Sequence, residues 1–389
     1  MNPPMFPKRG GAGRDGPPGG RRRAVGRRWY EWSVPAGPGT GPGTRNRPAD
    51  ARGSNSMIEE FRHSVLREFA GLPVFEFGAE SLGDLDSPDL PPDVENWAWR
   101  VAVDDDEGPE FAETFAAFTA HVDAARVRAL IIGLWFTDFD PTTPTTEAFA
   151  TVTAHAKLFP ALEALFVGDV SRDRSEVSWL HISDPAPLLE AFPRLRRFGL
   201  RGTTELSLGP VAHEALEELT FQGGGLPPEV VRALGASRLP ALTGLDLYLG
   251  TSEYNGGAGP ADLEPILSGS AFPLLRHLGL RDAENADEIA AAVAHAPVVA
   301  RLESLDLSLG TLTDEGAAAL LAGQPLDHLT SLDLHHHYLS EEMMQRVWAA
   351  LPGVAVNMDE QEAAEEDDWS DPDEPEAEPT VWRYVAVAE

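Results

Sequence analysis

The sequence contains no cysteine. That excludes disulfides and thiolate metal sites, and it fits a reducing cytoplasm, where the chain is expected to reside. No apolar run approaches the roughly 18 residues of a membrane span. The basic run Arg21–Arg23 is followed by no apolar core, so no secretory or twin-arginine signal is expected there. There is no Walker motif, no nucleophile elbow and no HExxH. Bases are scarce: 30 Lys+Arg stand against 63 Asp+Glu, a formal net charge of −33 over 389 residues.

The scarcity is uneven. The first 56 residues hold 11 Lys/Arg and 3 Asp/Glu, so the rest of the chain carries 19 of the 30 bases and 60 of the 63 acids. A body this acidic repels phosphate backbones and anionic membranes, so neither nucleic acid nor membrane is expected as a partner. Residues 1–56 are rich in Gly, Pro and Arg without any helical or strand period. They read as a disordered basic extension, or as a stretch upstream of a natural start at Met57, where globular texture begins. Residues 57–126 read as an N-terminal cap. There "FAETFAAFTAHV" places Phe111, Phe115, Phe118 and Val122 on one helical stripe.

What the sequence has in quantity is a repeat. The pattern L-x-x-L-x-L recurs from 127 to 334 as "VRALII", "LEALFV", "LRRFGL", "LEELTF", "LTGLDL", "LRHLGL", "LESLDL" and "LTSLDL", with starts 21 to 35 residues apart. A weaker last strand is "GVAVNM" at 353–358. Alternation sends positions 1, 4 and 6 of each strand inward and positions 3, 5 and 7 outward. Helical segments fill the gaps. Thr313 and Ser340 are expected N-caps, and Pro227–Pro228 suit a first turn. After Ser340, Met344, Val347, Trp348 and Leu351 are expected to face inward. A period of 20–50 residues with strand, turn and helix in one direction predicts a solenoid with a parallel inner sheet and outer helices.

The stretch "LESLDLSLGTLTDEGAAALLAG" resembles the ribonuclease-inhibitor type of leucine-rich repeat, with Leu302, Leu305, Leu307, Leu312, Gly316 and Leu320 near their pattern places. With "LDLHHHYLSEEMM" and the ending "WRYVAVAE", the chain from 127 onward also resembles an uncharacterised bacterial family of such proteins. The resemblance implies an α/β leucine-rich-repeat solenoid over 127–358 and a binding role, and it brings no activity with it. One departure stands out. Position 9, ordinarily an asparagine that ladders to neighbouring backbones, is Val170, Thr203, Gly224, Gly250, Ala283, Gly310 and His337 here. An irregular arc is therefore expected.

The candidate site is the outward face of the strands. Position 5 ends in Asp246, Gly279, Asp306 and Asp333; position 7 includes Arg201, Tyr248, Arg281, Ser308 and His335. Arg and aromatic residues among charges suit a protein interface, so Arg201, Asp246, Tyr248, Arg281, Asp306, Asp333 and His335 are the candidate binding residues. The first half of the face is small and apolar. The reading is a non-enzymatic interaction scaffold, a monomer with no cofactor or metal and with a protein partner. The alternative is a metal-dependent or hydrolytic enzyme using Asp306, Asp333 and His335. In the triplet His335–His337, successive residues cannot all face one ion. His337, at position 9, is expected to serve backbone groups as the missing asparagine would.

Residues 359–380 carry 12 acids and no base and read as an acidic linker. Residues 381–389, "VWRYVAVAE", read as a strand that either docks on its own chain, preferably at the cap near Trp97–Val103, or binds another protein.

Overall fold

The computed structural model describes residues 65–78, 90–103, 108–137, 142–367 and 380–388. The chain divides into two units, Met1–Ala49 and Asp50–Glu389, and every described residue lies in the second. The basic extension and most of the acidic linker therefore fall outside the described residues. None of the described helices is long and apolar enough to cross a membrane.

One twelve-stranded sheet runs through the unit, its strands stacked in sequence order. β1 (Glu68–Phe69) turns back antiparallel onto β2 (Leu72–Phe77). From β2 onward each strand is parallel to the next: β3 (Ala98–Val101), β4 (Ala129–Ile132), β5 (Ala164–Val167), β6 (Arg197–Arg201), β7 (Glu218–Gln222), β8 (Gly244–Gly250), β9 (His277–Ala283), β10 (Ser304–Asp306), β11 (Ser331–Asp333) and β12 (Ala355–Asn357). Helices α1 (Phe111–His121), α2 (Thr146–Ala154), α3 (Ala186–Ala191), α4 (Pro228–Gly235), α5 (Pro260–Leu267), α6 (Ala286–Val293), α7 (Asp314–Ala322) and α8 (Glu341–Ala350) separate the strands from β3 onward, except that β6 passes to β7 without one. The segment read as a cap supplies β2, β3 and α1, and so continues the same sheet. Beyond β12, β13 (Glu365–Asp367) pairs antiparallel with β14 (Thr380–Trp382).

The register is the one the repeat predicts. Leu305 pairs with Leu332 and Leu278, and Asp306 with Asp333 and Gly279. Positions 1, 4 and 6 of every repeat are buried in one core, together with the apolar faces of the helices. Phe111, Phe115, Phe118 and Val122 are all in it. The Thr313 side chain accepts from the Glu315 N–H, and that of Ser340 from the Met343 N–H, as caps. In α8 the buried stripe is Met343, Val347 and Leu351, four residues apart, while Trp348 is 52% exposed. Trp348 sits about 100° round the helix from Val347, which turns it away from the sheet and corrects the inward placement.

The missing asparagine ladder has a physical substitute. A Cβ on Gly250 would come within 2.0 Å of the Gly224 carbonyl oxygen, and one on Gly310 within 2.7 Å of that of Ala283. Gly250 also has φ +67, in the left-handed region. Glycine at position 9 lets adjacent coils bond main chain to main chain: the Thr251 N–H donates to Gly224 O and the Thr311 N–H to Ala283 O. The groups a side-chain amide would satisfy are thus paired by closer approach.

Candidate functional site

Positions 3, 5 and 7 form the face of the sheet turned away from the helices. Its apolar first half is not open. Leu66 and Phe69, before and within β1, pack on Ala98, Ala129, Ile131, Ala164 and Phe166. Asp169 pins this segment: its carboxylate accepts the Leu66 N–H at 3.0 Å and the Arg100 Nε at 2.7 Å. Arg201 joins the same network, with Nη1 3.5 Å from Asp169, Nε donating to Gln222 and the guanidinium over the Phe166 ring. Arg201 is therefore a buried structural cation, not a presented one.

The middle of the face is also closed. Arg281 lies over the Tyr248 ring at 5.0 Å, donates from Nε to Ser308 Oγ and stands 3.4 Å from Asp306. All three partners that were candidate binding residues, Tyr248, Arg281 and Asp306, are at most 2% exposed. Burial pushes the Tyr248 phenol up, and it pushes the Asp306 carboxyl up against the pull of Arg281. Position 7 alone does not guarantee exposure, because long side chains fold over the sheet and the last residues of the chain lie across them. Val387 packs on Tyr248, Leu309 and Val177. The terminal peptide does dock on its own chain, but at the ends of β7–β11. The preference for the cap near Trp97–Val103 is thereby corrected.

What stays half-open is a strip over β8–β12: Asp246, His277, Ser304, Ser331, Asp333, His335 and Asn357 are all partly exposed. Their side chains hold one another. His277 Nδ1 is 2.7 Å from Ser304 Oγ, and its Nε2 is 3.0 Å from Asp246 Oδ2. Asp333 accepts from the His335 ring at 2.7 Å and from Asn357 at 3.1 Å. Burial would raise the Asp246 carboxyl, but the charge and hydrogen bond of His277 hold it below its ordinary value. Burial would likewise depress His277, and Asp246 holds it above. His277 and Ser304 sit at position 3, a row that faces outward with positions 5 and 7 but whose residues the sequence reading did not follow.

Comparisons with known proteins bear on the architecture. No family model and no curated protein matches the sequence. A Bacteroides fragilis protein of known crystal structure is similar at 28% identity and a TM-score of 0.60, over 68% of this chain and 76% of its own. A Listeria monocytogenes internalin is similar at 13% identity and a TM-score of 0.32, over 69% of this chain and 75% of its own. The deciding observation is internal: eight copies of one leucine pattern stack as parallel strands, in register and in sequence order. The chain is a leucine-rich-repeat solenoid.

Within this solenoid the three consecutive histidines go three ways. His335 faces Asp333 on the strip. His336 takes a left-handed φ of +55 and sits edge-on to Tyr338. His337 is fully buried: its Nδ1 accepts the Leu339 N–H at 3.0 Å and its Nε2 donates to Met358 O at 3.1 Å. It does the work of the ladder asparagine, as its position predicts. Asp306 is engaged by Arg281, while Asp333 is engaged by His335 and Asn357. Among the described residues no group of three or more His, Asp or Glu could hold a metal ion. Chemically, the strip offers fixed acceptors and donors. The series Ser304–His277–Asp246 has the order of a nucleophile relay, and the Ser304 N–H is itself taken by Arg276 O.

Proposed function

We propose that this solenoid is a non-enzymatic scaffold that binds a protein partner through the strip over β8–β12. The observation that carries the reading is the mutual fixation of Asp246, His277, Ser304, Asp333, His335 and Asn357 on rigid parallel strands. Such groups lose little side-chain freedom on binding, which is a main cost of association. Burial of Tyr248, Arg281 and Asp306 makes them supports of this strip, and burial of Arg201 in the Asp169 network keeps it out of the strip. Acidity of the body favours a partner with basic groups on its docking surface and disfavours nucleic acid.

A photo-crosslinker at Ser331, in the chain expressed in its own cells, tests this. A discrete protein adduct is expected, abolished by His277→Glu. Equal adducts from a probe at Ala292 on the helical side would remove the reading. Ester or peptide hydrolysis lost in His277→Ala would replace it with an enzymatic one.

A further inference from the structure

The last residues of the chain cross the strand ends of successive coils. The Tyr338 hydroxyl accepts the Tyr384 N–H at 2.8 Å and donates to Tyr384 O at 2.9 Å. One coil further, the Ala386 N–H donates to Leu309 O at 2.8 Å. One more, the Val387 N–H donates to Asp282 Oδ1 at 2.9 Å. The strap ends over Gly224, where a Cβ would come 2.4 Å from Ala388 O.

The seat is built by the coil ends. Leu309 and Asp282 occupy the same repeat position, and both have positive φ, +67 and +57. That conformation turns the strand end outward and leaves a carbonyl or carboxylate facing the strap. Side chains alternate: Val385 and Val387 are buried, while Tyr384 is 55% exposed. Recognition is thus hydrogen bonding to the strap's main chain plus burial of two aliphatic side chains, the mode by which grooves take extended peptides with loose sequence demands.

Two observations say that the strap is exchangeable. Val387 with Tyr248, Leu309 and Val177 forms a cluster separate from the main core, which contains no residue of the strap. In addition, Asp282 is wholly buried beneath the strap with Oδ2 unpartnered. A buried carboxyl with one unmatched oxygen opposes the closed state. Meanwhile Val381, Trp382 and Tyr384 stay exposed beside the groove.

We propose that the groove across the ends of β7–β11 is a receptor for extended peptides carrying β-branched aliphatic residues two apart, and that the chain's own terminus is the resident occupant such a peptide displaces. This rests on the reading of the solenoid as an interaction scaffold, and it names a second surface and its ligand chemistry.

The probe is a fluorescent peptide of residues 381–389, titrated by anisotropy into the full-length chain. Val385→Asp with Val387→Asp in the chain releases the strap. Binding to that variant is expected to be at least tenfold tighter than to the native chain. A peptide with the same two aspartates should not bind. A second arm keeps both strap valines: Leu309→Cys with Ala386→Cys gives the only cysteine pair in the chain. Oxidised, it should refuse the peptide; reduced, it should accept it. The proposal is overturned if the released chain, with intact near-ultraviolet dichroism, does not bind the peptide. It is equally overturned if the oxidised chain binds as well as the reduced one. A negative titration beside a positive crosslink at Ser331 would sink this inference and leave the scaffold reading standing.

Discussion

Asp246 and His277 stand on neighbouring strands with the carboxylate 3.0 Å from ring Nε2, and each holds the other charged. The ring also feels Asp306, which favours its charge, and Arg281, which opposes it. The balance raises the His277 pKa above the ordinary value of about 6.5. A raised histidine stabilises the fold below that unfolded value, and the contribution is lost as pH rises through the folded one. An NMR titration of His277 is expected to show the upward shift, and Asp246→Asn should lower it. A midpoint at or below the free-histidine value in the native chain would contradict the pairing.

The pair Leu305 and Asp306 tests the face assignment energetically. Leu305 is buried in the core, so Leu305→Ala is expected to cost about 2–5 kcal/mol. The strand alternation makes Asp306 an outward position; the structure buries it against Arg281. Asp306→Ala strands a buried guanidinium, so a cost of about 3–5 kcal/mol is expected. Replacing both, Asp306→Leu with Arg281→Met, should recover much of that loss in urea unfolding. If Asp306→Ala proves nearly neutral, the charge network does not exist in solution.

His337 gives a third test. His337→Ala leaves the Leu339 N–H and Met358 carbonyl unpaired inside the protein, a loss of about 1–3 kcal/mol. His337→Asn keeps a donor and an acceptor and should cost less. Burial depresses the His337 pKa. Its contribution is complete above the unfolded value of about 6.5 and falls as pH drops through the folded one. Urea midpoints measured from pH 7.5 down to 5 should fall less steeply in His337→Asn than in the native chain.

The leucine frame was legible because burial of positions 1, 4 and 6 repeats in every coil. A periodic signal of that kind survives irregular spacing. The helix caps and the role of His337 followed from the same frame. The closure of the outward face was not legible. Nothing in the local pattern of "YLG" says that Tyr248 is roofed, because the roof is made by Val387, far away in sequence. Leu66 over Phe166 is the same case at the other end. Position 3 failed for a different reason: His277 and Ser304 look unremarkable singly and acquire meaning only as neighbours across strands. Trp348 was misplaced by one step round its helix, which periodicity over ten residues resolves poorly.

Removal of residues 381–389 separates docking at the strand ends from docking at the first strands. The strap contributes two buried valines outside the main core and hydrogen bonds to Tyr338, Leu309 and Asp282. Deletion exposes the carboxylate of Asp282 to water and uncovers Tyr248. The Asp282 N–H, bonded to Ser308 O, and the Leu309 N–H, bonded to His335 O, then sit in coil ends open to solvent. Those amides should exchange faster in the shortened chain. Amides of Trp99 and Arg100 should be unchanged, because β3 is roofed by Leu66 and Phe69 and not by the terminus. Cooperative unfolding of the leucine core should persist, since no strap residue belongs to it. The opposite pattern, acceleration at residues 98–101 with protection kept at 282 and 309, would move the strap back to the first strands.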